Sequence, residues 1–280
     1  MFTADHLSSE TILVTGGGSG LGRAMAVHFA SLGARVGVLG RRSEPLAETV
    51  AIIRGAGGKA AFACADVRDP AQVTAAIDSI EAEIGELTGL VNNAAGNFLA
   101  ASEDLSANAF DAVVRIVLHG TFHCTSDVGR RFIARGTKGS MLSIVTTYAW
   151  LGSAFVLPSA AAKAGVLAMV RSLAVEWAAY GIRNNAIAPG PFPTEGAFSR
   201  LMAGGIEEEA KKGVPLGRFG EPQELADLAA YLMSPMAAYV TGECVVIDGG
   251  EWLKSGQEFS RYTDHPRDAI KAVFSAMRGK

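Results

Sequence analysis

The sequence predicts an α/β fold, a Rossmann-type doubly wound parallel sheet of about seven strands with helices on both faces, in a single domain over residues 1–280. Three observations predict it. Short aliphatic and β-branched runs alternate with helical patterns, a glycine-rich turn joins the first run to the first helical stretch, and 49% of the 280 residues are apolar, enough for a full core. Parallel strands need crossover connections, usually helical, which put helices on both faces of the sheet. The ligand site is then expected beyond the carboxyl ends of the strands.

The first strand, Thr11–Thr15, runs into Gly16-Gly17-Gly18-Ser19-Gly20-Leu21-Gly22, and Arg23–Leu32 has helical periodicity. A glycine turn between a strand and a helix lets backbone N–H groups approach a pyrophosphate at the helix N-terminus, which nominates Gly16, Gly18, Ser19, Gly20 and Leu21. An ordinary glycine-rich turn is the alternative, and the spacing TGxxxGxG at the first strand-to-helix turn weighs against it. After the second strand, Arg35–Leu39, a fold that binds NAD usually offers an acid; here Gly40-Arg41-Arg42 follows. A guanidinium at Arg41 suits a ribose 2′-phosphate, so NADP(H) is expected over NAD(H), against the plainer reading of a solvated surface charge. The third strand, Ala60–Cys64, leads to Asp66 and Val67, where a carboxylate can accept from an adenine amino group.

The remaining strands are Gly89–Asn92, followed by Asn93-Ala94-Ala95-Gly96, then Ser140–Val145, Ile182–Ile187, and Cys244–Ile247. The segment 189–215 breaks the alternation with Pro189, Pro191, Pro193 and Pro215 and a helical stretch ending in Glu207-Glu208-Glu209-Ala210-Lys211-Lys212. The sequence does not choose between a substrate lid and a rigid surface excursion there. Within the C-terminal extension 251–280, Ala269–Met277 is helical and apolar on one side, suited equally to packing on its own domain or on a subunit neighbour.

Composition excludes several function classes. A net charge of -3 from 25 basic and 28 acidic residues spread along the chain is not the footprint of a nucleic-acid binder. Cys64, Cys124 and Cys244 form no CxxC pair, so all three are expected as buried structural thiols in a reducing compartment. No apolar run of spanning length, no signal-peptide pattern and no Ser-Lys-Leu tail are present, so the expectation is a cytoplasmic protein without a membrane partner. His119 and His123 have a spacing metals accept, but no further ligand completes a set, and no metal site is expected.

With the glycine turn, Asn92-Asn93-Ala94-Ala95-Gly96 and Pro189-Gly190 in place, the chain resembles the short-chain dehydrogenases/reductases from about Thr11 to Gly250. In that family a Tyr-x-x-x-Lys pair does the proton chemistry. Here the lysine is Lys163, but the residue four before it is Ser159. Tyr148 stands instead just past the fifth strand. Together with Asn93-Ala94-Ala95-Gly96-Asn97-Phe98, Phe155-Val156-Leu157-Pro158-Ser159 and the stretch Pro189 to Arg200, it resembles the 2,4-dienoyl-CoA reductases. The resemblance implies NADPH-dependent reduction of a conjugated dienoyl-CoA to a 3-enoyl-CoA, with Tyr148 and Asn97 as the central pair. Lys163 would hold the nicotinamide ribose and Ser159 support that network. It also implies cofactor contacts at Asn93, Ala94, Pro189, Gly190, Phe192 and Thr194, and CoA contacts at Arg68, Phe98, Ser106 and Arg200, with Arg41 a further candidate. A homotetramer is implied as well. One departure is Glu195, a negative charge poorly placed if it faces CoA phosphates. Two rival readings stay open: a reductase or dehydrogenase of another enoyl or keto acyl thioester, and a catalytically silent NADP-binding regulatory protein.

Overall fold

The computed structural model describes residues 3–194, 207–257 and 259–277. Seven strands form one parallel sheet in the order β3-β2-β1-β4-β5-β6-β7. They are β1 (Thr11–Thr15), β2 (Arg35–Gly40), β3 (Lys59–Cys64), β4 (Gly89–Asn92), β5 (Gly139–Ile144), β6 (Ile182–Pro189) and β7 (Cys244–Ile247). The expected strands are all present: β1, β4 and β7 have the expected ends, and the other four are shifted by one or two residues. The largest shift is in β6, which runs on to Pro189 because that residue pairs with Ile247 of β7 beyond the last residue of β5. A proline is tolerated at a strand end, where its missing N–H breaks no inner ladder.

Alternation along β1 explains the two layers. Ile12 and Val14 point to one face with Met25, Ala26 and Phe29 of α1 (Gly20–Ser31), the α2 helix (Ser43–Gly55) and the helix Pro222–Met233. Leu13 points to the other, against Val73, Ile77 and Ile80 of α3 (Pro70–Ile84) and Val128 and Phe132 of α5 (Gly120–Arg135). A third cluster joins Val113 of α4 (Ala107–Val114) to Val166, Leu167 and Val170 of α7 (Leu157–Glu176) beneath the carboxyl ends of β5 and β6. Between α4 and α5 the helix passes through one π turn, Arg115–His119, a feature that often marks a functional site.

Because β1 lies between β2 and β4, the chain reverses its direction of progress across the sheet there. A crevice opens beyond the carboxyl ends of β1 and β4, where ligands of such sheets bind. Among the described residues no helix is long and apolar enough to cross a membrane. One sequence expectation needs correction: Cys124 and Cys244 are buried, but Cys64 is exposed, since it closes an edge strand whose last residue faces solvent.

On the outer face, Glu81 of α3 accepts from Arg131 and Arg135 of α5 and from the Leu87 backbone N–H. These partners outweigh the opposing effect of burial and bring its carboxyl down to about 2. The native state therefore holds this group ionised where the unfolded chain, near 4.5, takes up a proton, so its contribution is present above about 4.5 and is lost as pH falls toward 2. Glu81→Gln is expected to lower Tm by about 2–4 °C at pH 7 and to narrow the gap to wild type as pH falls through that window, read by thermal melts.

Candidate active site

The glycine turn is shaped by close approaches. Gly16 has φ +67°, a left-handed conformation that favours glycine, and a Cβ on Gly22 would lie 2.3 Å from the Gly16 carbonyl oxygen and 2.5 Å from Asn93 Nδ2. That is a cradle with no room for a side chain on its inner wall. Ser19, at the N-cap of α1, is extended and makes no side-chain cap bond, so the first turn of α1 keeps its amides available for an anion. Leu21 packs partly buried on the core beneath. Gly18 is buried against Pro45 and Leu46.

Two residues outside the sequence-level set complete this cradle. Thr15 Oγ1 accepts from the backbone N–H of both Asn93 and Ala94 at 3.0 Å, and Asn93 Nδ2 donates to the Thr15 carbonyl at 3.0 Å. The carboxyl ends of β1 and β4 are thereby tied at the switch point. Arg23, in the first turn of α1, donates to the Gly18 carbonyl at 2.7 and 3.1 Å and pairs with Glu48 at 2.7 Å. A cation is unfavourable at a helix N-terminus, so its presence there was the signal that it serves something outside the helix. We expect Gly22→Ala to abolish cofactor binding at micromolar NADPH while the protein stays folded, measured by fluorescence titration beside circular dichroism.

The residues expected at the cofactor are placed as follows. Arg41 is exposed one residue past β2. Asp66 does not stand free: its carboxylate holds Arg68 through contacts of 2.5–3.0 Å, and this hydrogen bonding with Arg68 lowers its pKa. Val67 is buried, its carbonyl 2.9 Å from His123 Nδ1, so that histidine is occupied structurally. Among the described residues no cluster suited to a metal ion exists. Gly190 donates to the Ile247 carbonyl at 3.0 Å, and Phe192 is buried against Gly220. Thr194 reaches back over the glycine turn, 3.4 Å from where a Gly20 Cβ would stand. Arg200 and Glu195 lie outside the described residues.

Opposite the cradle, α6 (Tyr148–Leu151) follows β5 and presents Tyr148. Its hydroxyl lies 3.1 Å from Ser159 Oγ and 3.5 Å from Asn97 Nδ2. Asn97 is oriented by its own chain: the Phe98 backbone N–H donates to Asn97 Oδ1 at 2.9 Å, which turns the amide NH2 toward the phenol. Ser159 and Lys163 are buried on α7, and the Lys163 ammonium donates to the Ile144 carbonyl at the end of β5. Burial pushes this lysine down to about 8. Tyr148, Asn97 and Ser159 thus meet as neutral donors around one point.

Of the residues expected at CoA, Phe98 packs half-buried on the third apolar cluster, as Trp150 does, Arg68 is engaged by Asp66, and Ser106 caps α4 by accepting from the Ala109 N–H at 3.1 Å. One contact had no sequence signal. Trp150, on the same turn as Tyr148, stacks on Trp252 of the helix Glu251–Gly256, with centroids 5.6 Å apart at 27°.

Residues 16–251 match the family model described as Enoyl-(Acyl carrier protein) reductase. The solved structure of a short chain dehydrogenase from Bacillus anthracis str. 'Ames Ancestor' superposes with a TM-score of 0.81 at 44% identity, covering 88% of this chain and 98% of that one. The chain belongs to the short-chain dehydrogenase/reductase family. It is an oxidoreductase of that family, and its relatives include 2,4-dienoyl-CoA reductases. A probable 2,4-dienoyl-CoA reductase [(2E)-enoyl-CoA-producing] of Bacillus subtilis (strain 168) is 44% identical over 252 residues, 88% of this chain and 98% of that protein. A probable (3E)-enoyl-CoA-producing 2,4-dienoyl-CoA reductase of Caenorhabditis elegans is 44% identical over 247 residues, 86% of this chain and 80% of that protein. A gluconate 5-dehydrogenase from Burkholderia cenocepacia J2315, solved with NADP and tartrate, shares the fold with a TM-score of 0.84 at 33% identity over 89% of this chain and 98% of that one.

Proposed function

We propose that this protein reduces 2,4-dienoyl-CoA to 3-enoyl-CoA with NADPH, in the β-oxidation of unsaturated fatty acids. The observation that carries the reading is the Tyr148–Asn97–Ser159 group, with a serine where the family's alcohol–ketone chemistry needs a phenol four residues before Lys163. The probable dienoyl-CoA reductases among the relatives support it.

The cradle fits a dinucleotide: Gly16, Gly18, Ser19, Gly20 and Leu21 would meet the pyrophosphate, Asp66 and Val67 the adenine, and Asn93, Ala94, Pro189, Gly190, Phe192 and Thr194 the rest. NADPH, when bound, supplies the hydride. Lys163 would hold the nicotinamide ribose, its ammonium oriented by the Ile144 carbonyl. As negative charge moves onto the thioester oxygen of a reduced diene, the Tyr148 hydroxyl and the Asn97 amide donate to it. They arrive already aimed, so little reorganisation is needed as charge develops. Ser159 donates to the phenol oxygen, which leaves the single phenolic O–H free to point at the thioester oxygen. A proton from solvent taken up by the dienolate at the α-carbon gives the 3-enoyl product, while one taken up at the γ-carbon would give the 2-enoyl isomer. Phe98, Ser106, Arg68 and Arg200 would face the CoA moiety, Arg68 by exchanging Asp66 for a phosphate.

The test follows loss of NADPH absorbance with trans,trans-2,4-hexadienoyl-CoA, with crotonyl-CoA and acetoacetyl-CoA alongside and chromatography of the product. Turnover of the diene to a 3-enoyl-CoA supports the proposal, and turnover of crotonyl- or acetoacetyl-CoA alone moves the assignment to another acyl thioester. NADPH binding with no turnover of any thioester would make the chain a silent binder. The preference for NADPH rests on Arg41. Arg41→Asp is expected to raise KM for NADPH about tenfold or more, because it replaces a charge-assisted contact to the 2′-phosphate with repulsion; KM for NADH should fall or hold. We place the protein in the cytoplasm as a homotetramer; sedimentation tests the assembly, and cell fractionation the location.

A further inference from the structure

Phe155 is the one non-glycine residue with positive φ among the described residues, at +64°. A bulky side chain is a poor occupant of that region, and such outliers gather where a site needs them. Packing does not compensate for it, because Phe155 is 59% exposed. Nor does the loop lack small residues, since Gly152, Ser153 and Ala154 precede it and Gly152 already turns at φ +71°. The aromatic ring is therefore held outward by a backbone that the local sequence did not require.

Its location gives the reason. The Phe155 carbonyl accepts from the Ala100 N–H at 2.9 Å, which latches the loop before Ser159 to the loop after Asn97. Around this latch stand other exposed apolar side chains: Leu99, two residues past Asn97; Leu151, 65% exposed and three residues past Tyr148 on the same face of α6; and Leu157 at the start of α7. Each is a near neighbour in the chain of a member of the Tyr148–Asn97–Ser159 group. An apolar rim thus borders the segments that carry the donors that would bind an acyl oxygen, and what extends from an acyl oxygen on the carbon side is a hydrocarbon tail.

We infer that Phe155, with Leu151 and Leu99 beside it, is the wall on which the acyl chain of the thioester lies, and that Phe155 sets how strongly binding depends on chain length. The inference rests on the acyl-thioester reading of the site but needs no turnover. Burying successive methylenes on an apolar wall gains affinity with each one.

The test is calorimetric titration of the NADP⁺-loaded protein with butanoyl-, hexanoyl-, octanoyl- and decanoyl-CoA. Wild type should bind more tightly as the chain lengthens. Phe155→Asn keeps a residue that tolerates the left-handed region while removing the ring. It should flatten the series, losing about tenfold more affinity for decanoyl- than for butanoyl-CoA. Leu151→Asn, on an exposed helix end, should flatten it in the same sense and guards against a folding failure of the first variant. Affinity in wild type that ignores chain length, or equal losses at every length in the variants, overturns the inference. A shift in assembly size by sedimentation without flattening overturns it as well, and reassigns the rim to contact between copies of this chain. Chain-length-dependent binding in a protein that fails the diene assay would remove the dienoyl assignment and leave this inference standing.

Discussion

Tyr148→Phe is expected to lower kcat with 2,4-hexadienoyl-CoA by about a hundredfold or more while leaving NADPH affinity and Tm near wild type. The change removes one oxygen from a half-buried ring, so packing is preserved. What disappears is the donor that lies 3.1 Å from Ser159 and 3.5 Å from Asn97. If the phenol acts only as charge builds on the thioester oxygen, the loss falls on kcat, and KM moves little. Ser159→Ala is the informative companion. It leaves the phenol in place but takes away the buried hydroxyl that directs it, so a smaller loss in kcat is expected. A Ser159→Ala loss larger than that of Tyr148→Phe would mean that the serine carries the proton chemistry itself. Unchanged turnover in Tyr148→Phe would end the case for this group as the reacting centre.

How far the sequence reaches can be argued from these same residues. The inner strands were legible because a parallel sheet buries both faces, and runs such as Thr11–Thr15 are aliphatic or β-branched, with every residue buried. The glycine cradle was legible because its demands are local: a left-handed Gly16 and a Gly22 pressed on its own turn leave only one residue type that fits. Tyr148 and Asn97 were found through a motif resemblance, and their meeting across 51 positions belongs to the fold, not to any periodicity. The unread features share one property. The Trp150–Trp252 stack and the bond from the Asn93 N–H to Thr15 Oγ1 join groups far apart in the chain, whose relation no local pattern encodes. The exposure of Cys64 was misread for a related reason: residue type predicts burial on average, whereas the end of an edge strand is set by topology. Strain at Phe155 was invisible for the opposite reason, since a local rule would have placed a glycine there.

Lys163→Met should separate what this lysine does for stability from what it does for the reaction. Its ammonium is buried, and desolvation lowers its pKa from 10.5 to about 8. Between those values the unfolded chain binds a proton that the native state has released, so stability rises with pH through the window; below about 8 the full penalty of holding a buried charge is in force. At 1.36 kcal/mol per pKa unit that penalty is about 3 kcal/mol, and the hydrogen bond to the Ile144 carbonyl returns about 1 kcal/mol of it. Methionine removes both, so the variant is expected to melt about 5 °C above wild type at pH 7, with the gap closing as pH climbs from 8 toward 10.5. Its kcat/KM with NADPH and diene should fall by about a hundredfold or more, because the proposed contact with the ribose is then lost. A more stable and less active variant is the pattern expected of a charge kept buried for function. A variant that loses activity and stability together at pH 7 would instead make Lys163 a structural tie between α7 and β5, and would move the ribose contact to another residue of the crevice.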